Sequence, residues 1–286
     1  MSDAPATRPT SRAGRDLSAA IGVGVALFAV LAIGLIWVHW LFIALATVAL
    51  CLGAIEVARA LRLKHMHAET VPIVVGTGLS VLGGYLASVI DLRIEPTTFV
   101  VICLAGTLFA SLAARLPRGA HGFVRDAAAS AFVIAYIPLL GVFIPLLLGS
   151  SLGALRMLTV IGCVVAADVG AYAFGVLFGR HKMAPTISPS KTWEGLAGGV
   201  ITAMAVGVLA SVFLLGAPWW VGLPLGLFVS LGAVLGDLVE SLFKRDAGLK
   251  DMSNFLPGHG GVMDRLDSML LAVPVGWLIL HLALGL

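Results

Sequence analysis

The sequence predicts an all-α, polytopic integral membrane protein of about nine transmembrane helices with a cytoplasmic N terminus. Three observations predict it. Hydrophobic residues make up 59% of the 286 and charged residues 12%, where a soluble domain carries about 25% charged residues. With a mean hydropathy of +1.05, this excludes a soluble globular domain. The apolar residues also fall into blocks of roughly 17 to 25 residues, the length that crosses about 30 Å of hydrocarbon. Finally, Lys and Arg collect in every second connection between the blocks.

Residues 1–16, rich in Pro, Thr, Ser, Arg and Ala, read as a disordered cytoplasmic tail. The blocks then run 17–36, 40–61, 71–90, 97–114, 127–149, 155–178, 194–216, 219–243 and 266–285. The first follows Arg8, Arg12 and Arg15 but exceeds a signal-peptide core in length and is soon followed by a second span, so it reads as an uncleaved helix. Tyr136, Pro138 and Pro145 mark the fifth block as a kinked helix, since a proline inside a helix removes a backbone hydrogen bond. Cys51, Cys103 and Cys163 all fall inside spans without metal-type spacing and read as small buried hydrophobes.

Alternate connections hold Arg8, Arg12 and Arg15; Arg59, Arg62 and Lys64; Arg115, Arg118 and Arg125; Arg180, Lys182 and Lys191; and Lys244, Arg245, Lys250 and Arg265. That places sixteen of the eighteen basic residues on one side and leaves Arg93 and Arg156 opposite. Cytoplasmic loops collect Lys and Arg, so the pattern puts the N terminus inside and the C terminus outside. The net charge of +3 then reflects loops facing anionic headgroups and implies no nucleic-acid partner.

The two halves differ in polar content. Residues 17–150 hold almost no polar side chains within spans except Glu56 and read as a transmembrane scaffold; residues 151–286 read as the catalytic region. Small-xxx-small spacings at Gly175/Gly179, Gly195/Gly199 and Gly232/Gly236 let helix backbones approach closely. Asp168, Glu194, Asp237 and Glu240 enter the spans near the basic side. Intramembrane carboxylates are costly and mark functional sites, so these four point to a polar cavity open to the cytoplasm.

Four segments carry chemistry. Asp168, Tyr172, Gly175 and Gly179 share one helix face; the face is either part of the cavity or a packing surface whose Asp meets an Arg. Ser188-Pro189-Ser190-Lys191-Thr192 precedes a helix expected to begin around Lys191 or Thr192. It is an anion site built from helix amides and a Lys, or an ordinary N-cap. Asp237, Glu240, Ser241 and Lys244 share a third helix face, followed by Arg245, Lys250 and Asp251. Then come His259, Gly260, Gly261, Asp264, Arg265 and Asp267, where glycines let backbone amides approach a phosphate. Asp237 and Asp264 could hold a divalent cation, since Mg²⁺ takes one or two carboxylates plus substrate phosphates; a structural ion-pair network is the alternative. No Walker loop and no dinucleotide-binding fingerprint occurs.

The run from Ser241 to Asp267, S-x-φ-K-R-x4-K-D-x-small-x2-φ-P-x-H-G-G-φ-x-D-R-φ-D, resembles the signature of the phosphatidate cytidylyltransferases (CDP-diacylglycerol synthases). The Ser188-Pro-x-Lys191-Thr192 segment and the Asp168 helix resemble that family's pattern as well, with Ser190 where relatives often carry Lys. The resemblance covers about residues 160–270. It implies an all-helical membrane enzyme, often a homodimer, that joins CTP and phosphatidate into CDP-diacylglycerol and pyrophosphate with Mg²⁺. It further implies that Asp237 and Asp264 hold the metal or metal pair and that Lys244, Arg245, Lys250 and Arg265 neutralise the triphosphate. Substrate contacts would come from Asp168, Ser188, Lys191, Thr192, Ser241, Asp251, His259, Gly260, Gly261 and Asp267. The expected location is the inner (plasma) membrane, with the site facing the cytoplasm. A CTP-dependent enzyme of polyprenol or archaeal ether lipids, and an ion-coupled transporter relaying cations through Asp168, Asp237 and Glu240, are the competing readings.

Overall fold

The computed structural model describes residues 29–90, 93–253 and 260–285. The disordered tail expected over 1–16 and most of the first expected span therefore lie outside the described residues. Residues 29–36 are helical. The chain then forms α1 (His39–Leu63), α2 (Thr70–Val89), α3 (Pro96–Arg115), a 3-10 turn (Leu116–Arg118), α4 (Phe123–Tyr136), α5 (Pro138–Gly141), α6 (Phe143–Leu148) and α7 (Gly153–Phe178). After α7 come β1 (Lys182–Ala184), β2 (Ser188–Thr192), α8 (Trp193–Phe213), α9 (Trp219–Ala247) and α10 (Met263–Leu284). Eight helical stretches among the described residues are long and apolar enough to cross a membrane, counting α4–α6 as one.

The prolines act where expected. The fifth span breaks at Ile137 and Val142 into three helical pieces, each later piece beginning one residue after the break. Pro138 opens α5, where a missing N–H costs least. Among the described residues the strands form one small antiparallel hairpin, with Lys182 opposite Thr192 and Ala184 opposite Ser188.

The glycine spacings determine how the second half closes. A Cβ on Gly199 would lie 2.7 Å from the carbonyl oxygen of Ala167, and one on Gly195 2.9 Å from that of Ala171, so α7 and α8 touch backbone to backbone. Gly207 and Gly226 do the same between α8 and α9, and Gly232 and Gly236 between α9 and α10. In lipid, where apolar burial drives little association, such close packing holds helices together.

Two apolar clusters form the interior. One joins Phe42, Leu147, Met157, Leu225, Val229 and Leu280. The other joins Leu50, Val57, Ile73 and Val133 to Met252, Met263 and Leu270. The second cluster ties the supposed scaffold directly to the start of α10. Basic residues gather at one end of the bundle: Lys64, at the end of α1, lies 3.1 Å from Asp246 near the end of α9. At that end Arg118 pairs with Glu69, and buried Arg115 bonds Asp126 at 2.8 Å. Arg156 instead donates to the carbonyl of Gly285, at the far end of α10.

Candidate active site

Close contact between α9 and α10 builds the centre of the site. Gly236 sits where any Cβ would strike the carbonyl of Asp267. That approach brings the carboxylates of Asp237, Glu240 and Asp267 together, one oxygen from each lying within 4.8 Å of the others. Glu240 is 1% exposed, and apart from the Lys244 ammonium, 2.5 Å from Oε2, no donor meets its oxygens. A buried carboxylate met by a single ammonium is expensive. A cation shared with Asp237 and Asp267 resolves that cost, so the residues fit a hard divalent ion.

Two lysines bracket the cluster. Lys244 sits between Glu240 and Asp264, 2.7 Å from Asp264 Oδ1. Lys191 forms an ion pair with Asp237, and Ser241 donates to Asp237 Oδ1 at 3.3 Å. Four carboxylates and two lysines leave these six side chains with two formal negative charges in excess. Asp168 stands on the neighbouring α7, within electrostatic range of Lys191 and Asp237.

Asp264, expected to share the cation with Asp237, stands at the edge of this trio beside Glu240. Its Oδ2 accepts the N–H groups of Gly261 (2.7 Å) and Met252 (3.0 Å) while Oδ1 takes Lys244. Glu240 and Asp267 stand beside Asp237 where Asp264 was expected. Asp264 and Asp267 share a face of α10 one turn apart, and Asp267 is the one level with Gly236. Gly260 has φ +77°, and a Cβ there would lie 2.9 Å from Asp264 Oδ2. The glycine is needed both for its left-handed backbone and for space.

Lys191 also differs from expectation. It lies on β2 rather than at a helix start, and α8 begins at Trp193. Thr192 is the cap: its Oγ1 accepts the N–H of Gly195 at 3.1 Å. Successive strand residues face opposite ways, so Thr192 turns into the protein while Lys191 turns to Asp237. Ser188 is half-buried at the start of the strand. Glu194, expected in the cavity, instead accepts the N–H groups of Arg180 and His181 and meets His181 Nδ1 at 2.6 Å, closing the α7–β1 connection. Arg245, Lys250, Asp251 and Arg265 are exposed around the centre. His259 lies outside the described residues.

Glu56 is the residue that sequence reasoning passed over. Assigned to the scaffold, it is 4% exposed and accepts from Ser253 Oγ (2.5 Å), Val262 N–H (3.0 Å) and Met263 N–H (2.8 Å). The signal was available: it is the only acidic residue inside its block, near the same membrane face as the others.

The fold and site define a polytopic membrane protein that gathers acidic and basic side chains, suited to phosphate chemistry, at one end of its helix bundle. The chain belongs to the cytidylyltransferase family, which it matches over residues 18–283, and it is an enzyme of nucleotidyl transfer. It is 38% identical to a phosphatidate cytidylyltransferase of Mycobacterium bovis over 97% of this chain and 92% of that protein. A phosphatidate cytidylyltransferase of Mycobacterium leprae is likewise 38% identical, over 96% of this chain and 91% of the relative. One from Haemophilus influenzae is 48% identical over 43% of this chain and 44% of its own length.

Proposed function

We propose that this protein transfers the cytidylyl group of CTP to phosphatidate, releasing pyrophosphate and leaving CDP-diacylglycerol for phospholipid synthesis. The observation that carries the reading is the Asp237–Glu240–Asp267 cluster bracketed by Lys191 and Lys244, in a chain whose relatives bear that enzyme's name. The basic end of the bundle faces the cytoplasm, where CTP is found, and the membrane is the cell's inner membrane. The working unit is a homodimer.

A phosphate oxygen of phosphatidate attacks the α-phosphorus of CTP in line, and the bond to the β-phosphate bridging oxygen breaks. The nucleophile is already anionic, so no general base is required. The barrier lies in bringing two anions together and in the charge left on pyrophosphate, which positioning and electrostatics address. Lys191 and Lys244 neutralise phosphate oxygens from two sides, Lys191 turning from Asp237 to the substrate. Arg245, Lys250 and Arg265 surround the triphosphate. Ser188 and Ser241 offer hydroxyl donors, Thr192 holds the start of α8 behind them, Asp168 and Asp251 orient the nucleotide, and His259, Gly260 and Gly261 are the further candidates for phosphate contact. Asp237, Glu240 and Asp267 would hold Mg²⁺, or a pair of metal ions, with Asp264 beside them. Bound there, the ion supplies positive charge for the leaving pyrophosphate.

The test is purified protein in phosphatidate-containing vesicles with labelled CTP and Mg²⁺. Labelled CDP-diacylglycerol and equimolar pyrophosphate are expected. Label transferred only to a polyprenol, or no transfer to any lipid, overturns the assignment.

A further inference from the structure

The helix that carries Asp264 and Asp267 has no cap of its own. Val262 occupies the N-cap position of α10 and makes no side-chain capping bond, although the first amides of a helix need acceptors. Those acceptors come from the other half of the chain. The Glu56 carboxylate takes the N–H of Val262 on Oε1 and of Met263 on Oε2, across 206 and 207 residues of sequence. Oε1 also takes the Ser253 hydroxyl, so one side chain joins two separate parts of the signature segment.

Its surroundings are built around that contact. A Cβ on Gly261 would lie 2.8 Å from Glu56 Oε2, so the second glycine of the pair makes room for the carboxylate. On α1, Gly53 faces Met263 and Leu266, and Leu50 and Val57 share a core with Met263 and Leu270. An anion at a helix N-terminus is favoured by the helix dipole, and bonds to a charged acceptor are the stronger kind.

We propose that Glu56 is a positioning residue for cytidylyl transfer: it caps α10 from α1 and so fixes Asp264 against Lys244 and Asp267 against Asp237 and Glu240. The proposal rests on the functional reading above. It also makes a distinct demand on the chemistry of position 56. Both carboxylate oxygens accept hydrogen bonds, so Glu56→Gln turns one acceptor into a donor facing a donor despite its unchanged size. Glu56→Asp keeps both acceptors and loses a methylene.

The experiment uses the full chain in lipid nanodiscs, comparing Glu56→Gln, Glu56→Asp and Ser253→Ala. Readouts are turnover, the Mg²⁺ concentration for half-maximal rate, and hydrogen–deuterium exchange over residues 260–270. Glu56→Gln is expected to lower turnover at least tenfold, raise the Mg²⁺ requirement at least fivefold and speed exchange at the start of α10. Glu56→Asp should retain more of each property than Glu56→Gln. Ser253→Ala should cost about two- to fivefold alone and little more when added to Glu56→Gln. A packing role predicts the reverse order, with the isosteric amide milder than the shorter acid; that order overturns the proposal. Turnover and exchange within twofold of wild type for Glu56→Gln overturns it too. If Glu56→Gln does not fold, Glu56→Asp and Ser253→Ala with unchanged Mg²⁺ requirement and exchange overturn it, and shifts in both support it. If the wild-type protein transfers no label from CTP to phosphatidate, the functional reading fails, and exchange at the start of α10 alone decides whether Glu56 sets that helix.

Discussion

Asp264 and Asp267 lie one helical turn apart, and the structure gives them different work. Replacing each by Asn separates the two roles. Asp267→Asn removes a charged oxygen from the Asp237–Glu240–Asp267 cluster and leaves the α9–α10 contact at Gly236 in place, because that contact is to the Asp267 backbone. Losing one of three hard ligands should raise the Mg²⁺ concentration for half-maximal rate by about two orders of magnitude, roughly 2.7 kcal/mol. The melting temperature should hardly move. Asp264→Asn weakens the bond to Lys244, and its new NH₂ faces either that lysine or the N–H groups of Gly261 and Met252. Hydrogen bonds to charged groups contribute about 1.5–3 kcal/mol each, so a loss of about 2–4 kcal/mol in stability is expected, with a smaller shift in Mg²⁺ requirement. The assays are an Mg²⁺ titration of CDP-lipid formation in nanodiscs and thermal melting of the same preparations. If Asp264→Asn shifts the Mg²⁺ dependence as far as Asp267→Asn while melting unchanged, Asp237 and Asp264 share the ion and the cluster is misassigned.

Lys191→Ala should lower turnover or raise a substrate KM by about tenfold, about 1.4 kcal/mol, because the strand aims this ammonium at Asp237; unchanged kinetics with both substrates would reduce the segment to a helix cap. Cysteines introduced beside Arg118 or Lys250 should be shielded from impermeant thiol reagents in intact cells while one beside Arg93 is labelled, and the opposite labelling would invert the topology. Gly236→Ala should abolish activity by pushing α9 from the Asp267 carbonyl, with the protein still inserted in the membrane; wild-type activity would show that the two helices need not touch there.

Much of the fold can be read from residue order because the bilayer imposes it. An apolar block long enough to cross hydrocarbon must satisfy its own backbone, so it becomes a helix, and each block from 40–61 onward matches a helix or, at Pro138 and Pro145, a broken one. The glycine spacings likewise announce the close helix faces on which α7 to α10 pack. The site was legible as a set of residue types, since carboxylates in lipid and a basic glycine-containing run admit few other uses. Their partners were not. Which of Asp264 and Asp267 joins Asp237 depends on which turn of α10 stands level with Gly236, a property of two helices at once. The hairpin that turns Lys191 inward depends on pairing between Lys182–Ala184 and Ser188–Thr192, too short to carry a periodic signal. Glu56 gave only the sign of a charge inside an apolar block. Its partners stand some two hundred residues away, and only the packing of α1 on α10 brings them within hydrogen-bonding distance. The sequence determined the elements and the chemistry because those depend on local composition and on lipid as solvent. Tertiary structure alone decided which charges meet, because ångström-scale contacts are set by helix rotation and close packing.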